Sequence, residues 1–222
     1  MPRPPLVIQR RSTLEGELSS GSGAAELITS EEFEELDAIE PRRVLLVRHG
    51  EGTHNTRTQR WGGGNPYNTL DPSLTEAGLA QATEVAQDPR LANPELVVVS
   101  PLSRAVQTAA AIFGEQPKCR TVLTALHSER WSALCDQGRP KSQLAELHPF
   151  VRSWEGFDQL PEDWTPTQSS DTEWKRTRVP AFLAWLKAQP EANIVVVGHG
   201  AYFAALLGGK HLSNCEIGAI EA

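Results

Sequence analysis

The sequence predicts an α/β protein: a three-layer sandwich with a mainly parallel central sheet and helices on both faces. Two observations point to the class. Short apolar runs recur as VLLV (44–47), LVVVS (96–100), TVLTAL (121–126) and IVVVG (194–198), with helical patterns between most of them. The runs are apolar throughout rather than alternating, as strands buried on both faces are.

Each element has a local reason. VLLV opens the domain as its first strand. Thr75 then starts a helix over TEAGLAQATEVAQ, which Asp88-Pro89 closes. After the second strand, Pro101 marks a helix start, and SRAVQTAAAIFG runs to Gly114. TVLTAL is the third strand. Residues 127–170 read as loop-rich, and Trp131, Trp154 and Trp164 there are assigned to packing rather than to stacking on a substrate. TEWKRTRVPAFLAWLKAQ is helical again, with Pro180 inside it, so a kink or a pair of helices is expected. IVVVG, a short helix AYFAALLG and a last strand near CEIGAI complete the chain.

The domain is taken as 42–222, and residues 1–41 as an acidic leader of low order. Pro-Arg-Pro-Pro and SSGSG leave residues 1–30 too little apolar surface to offset the entropy of ordering. Ser30 and the acidic run after it read equally as a short capped helix through Asp37–Ile39 or as a solvated linker. Residues 12–40 hold nine acidic residues and no Lys or Arg, so most of the net charge of −7 belongs to the leader. The remainder is close to neutral. No basic field favours nucleic acid or an anionic membrane, and the expected partner is a small molecule. The three cysteines (Cys119, Cys135, Cys215) show no C-x-x-C spacing, which argues against a disulfide framework or structural zinc and for a reducing, cytoplasmic setting. No apolar run approaches the ~20 residues that span a bilayer.

Ligands of mainly parallel sheets bind outside the carboxyl ends of the strands. Arg48 and His49 follow VLLV, Arg104 follows LVVVS-PLS, His199 follows IVVVG, and Glu129 lies three residues beyond TVLTAL. Distant segments thus bring two histidines, two arginines and a glutamate to one edge. That set suits a phosphate. Guanidiniums clamp phosphate oxygens and keep their charge at any working pH. Gly50, Gly198 and Gly200 let backbone N–H groups approach an anion. A neutral imidazole whose second nitrogen is held by a fixed acceptor is a nucleophile toward phosphorus. Glu129 is the preferred proton donor, with Asp136 and Glu146 as competitors. No metal or other cofactor is required, and no His-Glu-x-x-His set occurs.

RHGE with Asn55 six residues after His49, then DPSLTEAGLAQA, SPLSRAVQTA and VVVGHG in this order across 44–208, resemble the histidine phosphatase superfamily. The resemblance implies the phosphoglycerate-mutase-like version of the three-layer fold and a phosphohistidine intermediate on His49. It also implies Arg48, Arg104 and His199 in the phosphate pocket and Asn55 as a polar ligand, with Gly200 beside them. SERWSALCDQGRP is similar to a branch of mutase-like phosphatases, which makes Asp136 and Arg139 candidate substrate-loop residues. The implied activity is metal-independent phosphomonoester hydrolysis by a phosphatase of the histidine acid phosphatase type. The alternatives are a phosphoglycerate mutase, which uses the same pocket, and a non-catalytic phosphate-binding scaffold, which has no need of all four pocket residues. Glu51 reads equally as partner to an arginine or as a loop residue. His54 lies near the pocket in sequence, with simple exposure as its plain alternative. His127, His148 and His211 are read as structural or surface residues.

Overall fold

The computed structural model describes residues 42–56, 65–166 and 172–221. The leader and its expected helix lie outside them. Five strands form one sheet: β1 (Arg43–Arg48), β2 (Leu96–Val99), β3 (Arg120–Leu123), β4 (Ile194–Gly198) and β5 (Ile217–Glu221). Their order is β3-β2-β4-β1-β5. β1, β2, β3 and β4 pair in parallel, and only β5 is antiparallel, beside β1. The helices are α1 (Glu76–Val85), α2 (Ser103–Phe113), α3 (Lys141–Leu147), α4 (Glu173–Lys187) and α5 (Gly200–Leu206).

Successive strand side chains point to opposite faces, and each face has its own apolar layer. On one, Leu45, Val47, Val97, Val99, Val195 and Val197 pack with Leu102, Ala105 and Val106 of the α2 segment and with Leu144 of α3. On the other, Val44, Leu46, Val98 and Val196 pack with Phe182 and Leu186 of α4 and with Tyr202 and Phe203 of α5. The continuous apolar runs therefore arise because both faces are covered. Full burial of each such side chain contributes roughly 1.5–3 kcal/mol.

Three local expectations are revised. The third strand ends at Leu123, because Thr124 turns its hydroxyl onto the Leu126 amide and caps a 3-10 turn over Ala125–His127. The segment read as loop-rich contains α3, whose Leu144 and Ala145 are buried. Pro180 does not split its segment into two helices. The buried Trp174, Phe182 and Leu186 hold that stretch as one helix despite the lost N–H.

One close approach ties the first strand end to α1. A Cβ on Gly50 would lie 2.4 Å from the Gly78 carbonyl oxygen, and one on Gly78 would lie 2.1 Å from that of Glu51. Only paired glycines let α1 lie against the loop after β1. Thr75 begins that helix, accepting from the Gly78 amide at 2.9 Å.

Candidate active site

The register places the site. Arg48 pairs with Gly198 at the matching ends of β1 and β4, and Val99 of β2 pairs with Val197. His49, Ser100 and His199 thus emerge side by side. The His49 amide donates to Gly198 O at 2.9 Å. The residue is 2% exposed. Nδ1 sits 2.7 Å from the Gly50 carbonyl, which can only accept, so the proton lies on Nδ1 and Nε2 keeps its lone pair. Burial, and then the Arg104 guanidinium, hold the His49 pKa well below its ordinary value. A neutral nucleophilic nitrogen is the resting form.

His199 has its ring centroid 5.4 Å from that of His49 and places Nε2 2.7 Å from the Ser100 hydroxyl. Its Nδ1 is buried without a partner. Arg104, 1% exposed, donates Nη1 to Cys135 O at 2.7 Å and Nη2 to Asp136 Oδ1 at 3.3 Å, and its Nε has no partner. Arg48 donates to Leu212 O at 2.7 Å and likewise leaves Nε unpaired. Its guanidinium lies so close to Gly200 that a Cβ there would meet Nε at 3.2 Å.

His54 is not at the surface. Only 7% of it is exposed, its ring centroid lies 5.7 Å from that of His49, and its Nδ1 is unpartnered. Burial, followed by Arg104 and Arg48, lowers its pKa to about 3.

Glu129 is half-buried and rests on the start of α5. Oε1 accepts from the Arg130 amide (2.9 Å) and the Tyr202 amide (3.1 Å), and Oε2 from the Ala201 amide (3.1 Å). Burial raises its pKa, against the opposing pull of these amides and Arg104. Arg178 braces the segment through Ser128 O at 2.9 Å and Glu129 O at 3.4 Å.

Several expected ligands are engaged inside the protein. Asp136, expected in a substrate loop, is 6% exposed. Oδ2 accepts from Ser132 N, Ser132 Oγ and Ala133 N, and Oδ1 from Arg104. That carboxylate orients the Arg104 guanidinium. Arg139 lies 3.9 Å from Asp71 Oδ2 and donates to Leu70 O at 3.4 Å. Asn55 accepts from the Gly52 amide at 3.1 Å and so closes the turn after RHGE. Glu51 bonds Thr75 Oγ1 at 2.8 Å rather than an arginine. His127 and His148 are buried and His211 is exposed, in keeping with structural and surface positions.

Two supporting residues were not among those expected from the sequence. Asp71, at φ 43°, takes Ser103 N at 2.8 Å and Ser103 Oγ at 2.6 Å and so fixes the start of α2, where Arg104 sits. Thr108 accepts from Gly50 N at 3.0 Å and donates to Arg104 O at 2.7 Å, which locks the loop of His49 to α2. Both lie inside the motifs DPSLT and SRAVQTA, and that membership was the available signal.

Five buried histidines make stability pH-dependent. His49, His54, His127, His148 and His199 all have lowered pKa values, His54 to about 3 and His127 to about 4. In the unfolded chain each protonates near 6.5. Below that pH the unfolded state binds more protons than the native one, so stability falls as pH falls. Asp71 and Glu129, whose pKa values burial raises, oppose this but are fewer. The urea midpoint is expected to drop steadily from pH 6.5 to about 4.5, and inorganic phosphate to offset the drop. A flat midpoint over that range would contradict the neutral histidine cluster.

These features define an α/β protein whose strand ends gather buried guanidiniums and neutral imidazoles around one prospective nucleophile. Residues 44–218 match the model of the histidine phosphatase superfamily, branch 1, and the chain belongs to that family. It is 25% identical to a phosphoglycerate mutase-like protein of Arabidopsis thaliana, over 79% of this chain and 82% of that protein. It is 30% identical to a glucosyl-3-phosphoglycerate phosphatase of Mycolicibacterium vanbaalenii, over 74% of this chain and 72% of the relative. The fold matches the crystal structure of a putative alpha-ribazole-5'-P phosphatase from Escherichia coli K-12, with a TM-score of 0.53, 23% identity and coverage of 81% of this chain and 90% of that one. Among the described residues no helix is long and apolar enough to cross a membrane.

Proposed function

We propose that this protein hydrolyses small phosphomonoesters through a phosphohistidine on His49. The observation that carries the reading is a cluster of buried nitrogens without partners beside His49: Arg48 Nε, Arg104 Nε, His54 Nδ1 and His199 Nδ1. An unpaired buried polar group costs about 1–3 kcal/mol, and a bound oxyanion is the ligand that relieves several such donors at once. His49 Nε2 attacks phosphorus while Arg48, Arg104 and His199 stabilise the charge on the equatorial oxygens. As the P–O ester bond breaks, Glu129, whose pKa burial raises, gives a proton to the leaving oxygen. The Glu129 carboxylate then takes a proton from water, whose oxygen attacks phosphorus. The P–N bond breaks and inorganic phosphate leaves.

Hydrolysis is preferred over mutase chemistry: Arg139, the cation of the expected substrate loop, is turned to Asp71 and the Leu70 carbonyl. The phosphatase names among the relatives support the same reading. Incubation with 3-phosphoglycerate and a catalytic amount of the bisphosphorylated cofactor decides the point. Phosphate release is expected to outrun formation of 2-phosphoglycerate, and the reverse would establish a mutase. Failure to form a phosphoenzyme with any ester would leave the scaffold.

Glu129→Gln is expected to slow alkyl phosphates by ~10²–10⁴-fold and nitrophenyl phosphate far less, since a good leaving group needs little protonation. Equal losses on both would remove Glu129 as the donor.

A further inference from the structure

We propose that His54 is a third imidazole of the phosphate pocket, donating a ring N–H to the bound phosphoryl group. This assignment rests on the phosphatase function proposed for His49 and adds a ligand to it.

The loop is built around this ring. His54 lies in the 3-10 turn Thr53–Asn55, which is closed twice on Gly52: the Asn55 amide donates to Gly52 O at 2.8 Å, and the Gly52 amide donates to Asn55 Oδ1 at 3.1 Å. Gly52 is itself pinned by a bridge to Leu74. A Cβ at residue 52 would stand 2.7 Å from both Nδ1 and Cε1 of His54. Only glycine therefore lets the imidazole fold back, and the fold-back brings it to His49. The rings of His54 and His199 then both lie close to His49, at 5.7 and 5.4 Å between centroids.

Packing alone gives no reason for an imidazole here. Its Nδ1 is buried and unpartnered, a position an apolar ring would fill without that penalty. Burial first, and then its charged neighbours Arg104 and Arg48, keep it neutral. A neutral ring adds a donor without adding a third repelling cation beside the guanidiniums. Asp136, by contrast, is an acceptor occupied with Arg104 and the Ser132 turn, and supplies no such donor.

The test compares His54→Gln, which keeps an N–H donor at similar reach, with His54→Leu, which fills the space and donates nothing. Binding of inorganic phosphate is measured by calorimetry and hydrolysis of nitrophenyl phosphate by steady-state kinetics, with thermal unfolding of each variant alongside. A hydrogen bond to a charged group lost from the pocket should weaken phosphate binding and raise KM roughly ten- to hundredfold in His54→Leu. His54→Gln should stay within about threefold of the parent. Should the leucine variant fail to fold, His54→Phe makes the same comparison. Unchanged phosphate binding in a folded leucine or phenylalanine variant overturns the proposal, as do equal losses with glutamine and leucine, which would mark a packing role. If the parent protein hydrolyses no ester and binds no phosphate, the phosphatase reading itself falls; if the parent does both, only the assignment of His54 is at stake.

Discussion

Replacing His49 with alanine is expected to abolish turnover and phosphoenzyme formation together. Loss of a catalytic nucleophile lowers kcat by roughly 10⁴–10⁶-fold, because the residual binding groups no longer act on a covalent step. The remaining arginines should still bind inorganic phosphate, so affinity for the product changes far less than rate. Removing the ring leaves the Gly50 carbonyl without its Nδ1–H donor. An unpaired buried acceptor costs about 1–3 kcal/mol. The melting temperature should therefore fall by some degrees while the protein remains folded. Labelling with a phosphorus-32 ester, followed by acid hydrolysis of the trapped phosphoenzyme, reads the outcome. Near-parental hydrolysis by a folded His49→Ala protein would refute the mechanism.

Arg104→Ala is expected to damage both activity and fold, for separable reasons. The guanidinium is buried and faces Asp136, whose carboxylate is buried too, with side-chain exposures of 1% and 7%. Deleting one partner of such a pair costs about 3–5 kcal/mol, because the other charge remains unbalanced. Three donors from Ser132 and Ala133 still reach Asp136, which places the expected loss at the lower end of that range. Activity should fall by at least ~10²-fold through lost charge stabilisation in the transition state. Adding Asp136→Ala to Arg104→Ala should restore part of the stability and none of the activity. Urea unfolding and kcat/KM on the two single variants and the double variant separate the effects. Arg104 is also the leading charged group holding down the pKa values of His49, His54 and His199. Its loss should therefore make the protein less sensitive to acid relative to its own stability at neutral pH. Parental activity in folded Arg104→Ala would remove the guanidinium from the phosphate pocket.

The sequence alone determined the sheet and the edge that carries the chemistry. Buried runs such as VLLV and IVVVG are apolar on both sides, so they fit only a strand covered twice, and the residues next in the chain must emerge at the carboxyl edge. That reasoning located Arg48, His49, Arg104 and His199 without contact information. It also located Glu129, although the third strand stops three residues earlier than its apolar pattern suggests. Only the tertiary structure decided how side chains divide their few hydrogen bonds between ligand and protein. Asp136 and Asn55 have residue types suited to a substrate, yet their oxygens are satisfied by Arg104, the Ser132 turn and Gly52. His54 has a residue type suited to the surface, yet the missing Cβ of Gly52 lets it turn inward. Asp71 and Thr108 act across gaps of 32 and 58 residues, and no local pattern encodes such pairings. Period and burial are properties of neighbouring residues and can be read along a chain. Hydrogen-bond partners are set by which segments the packed sheet brings within about 3 Å, and that distance exists only in the folded molecule.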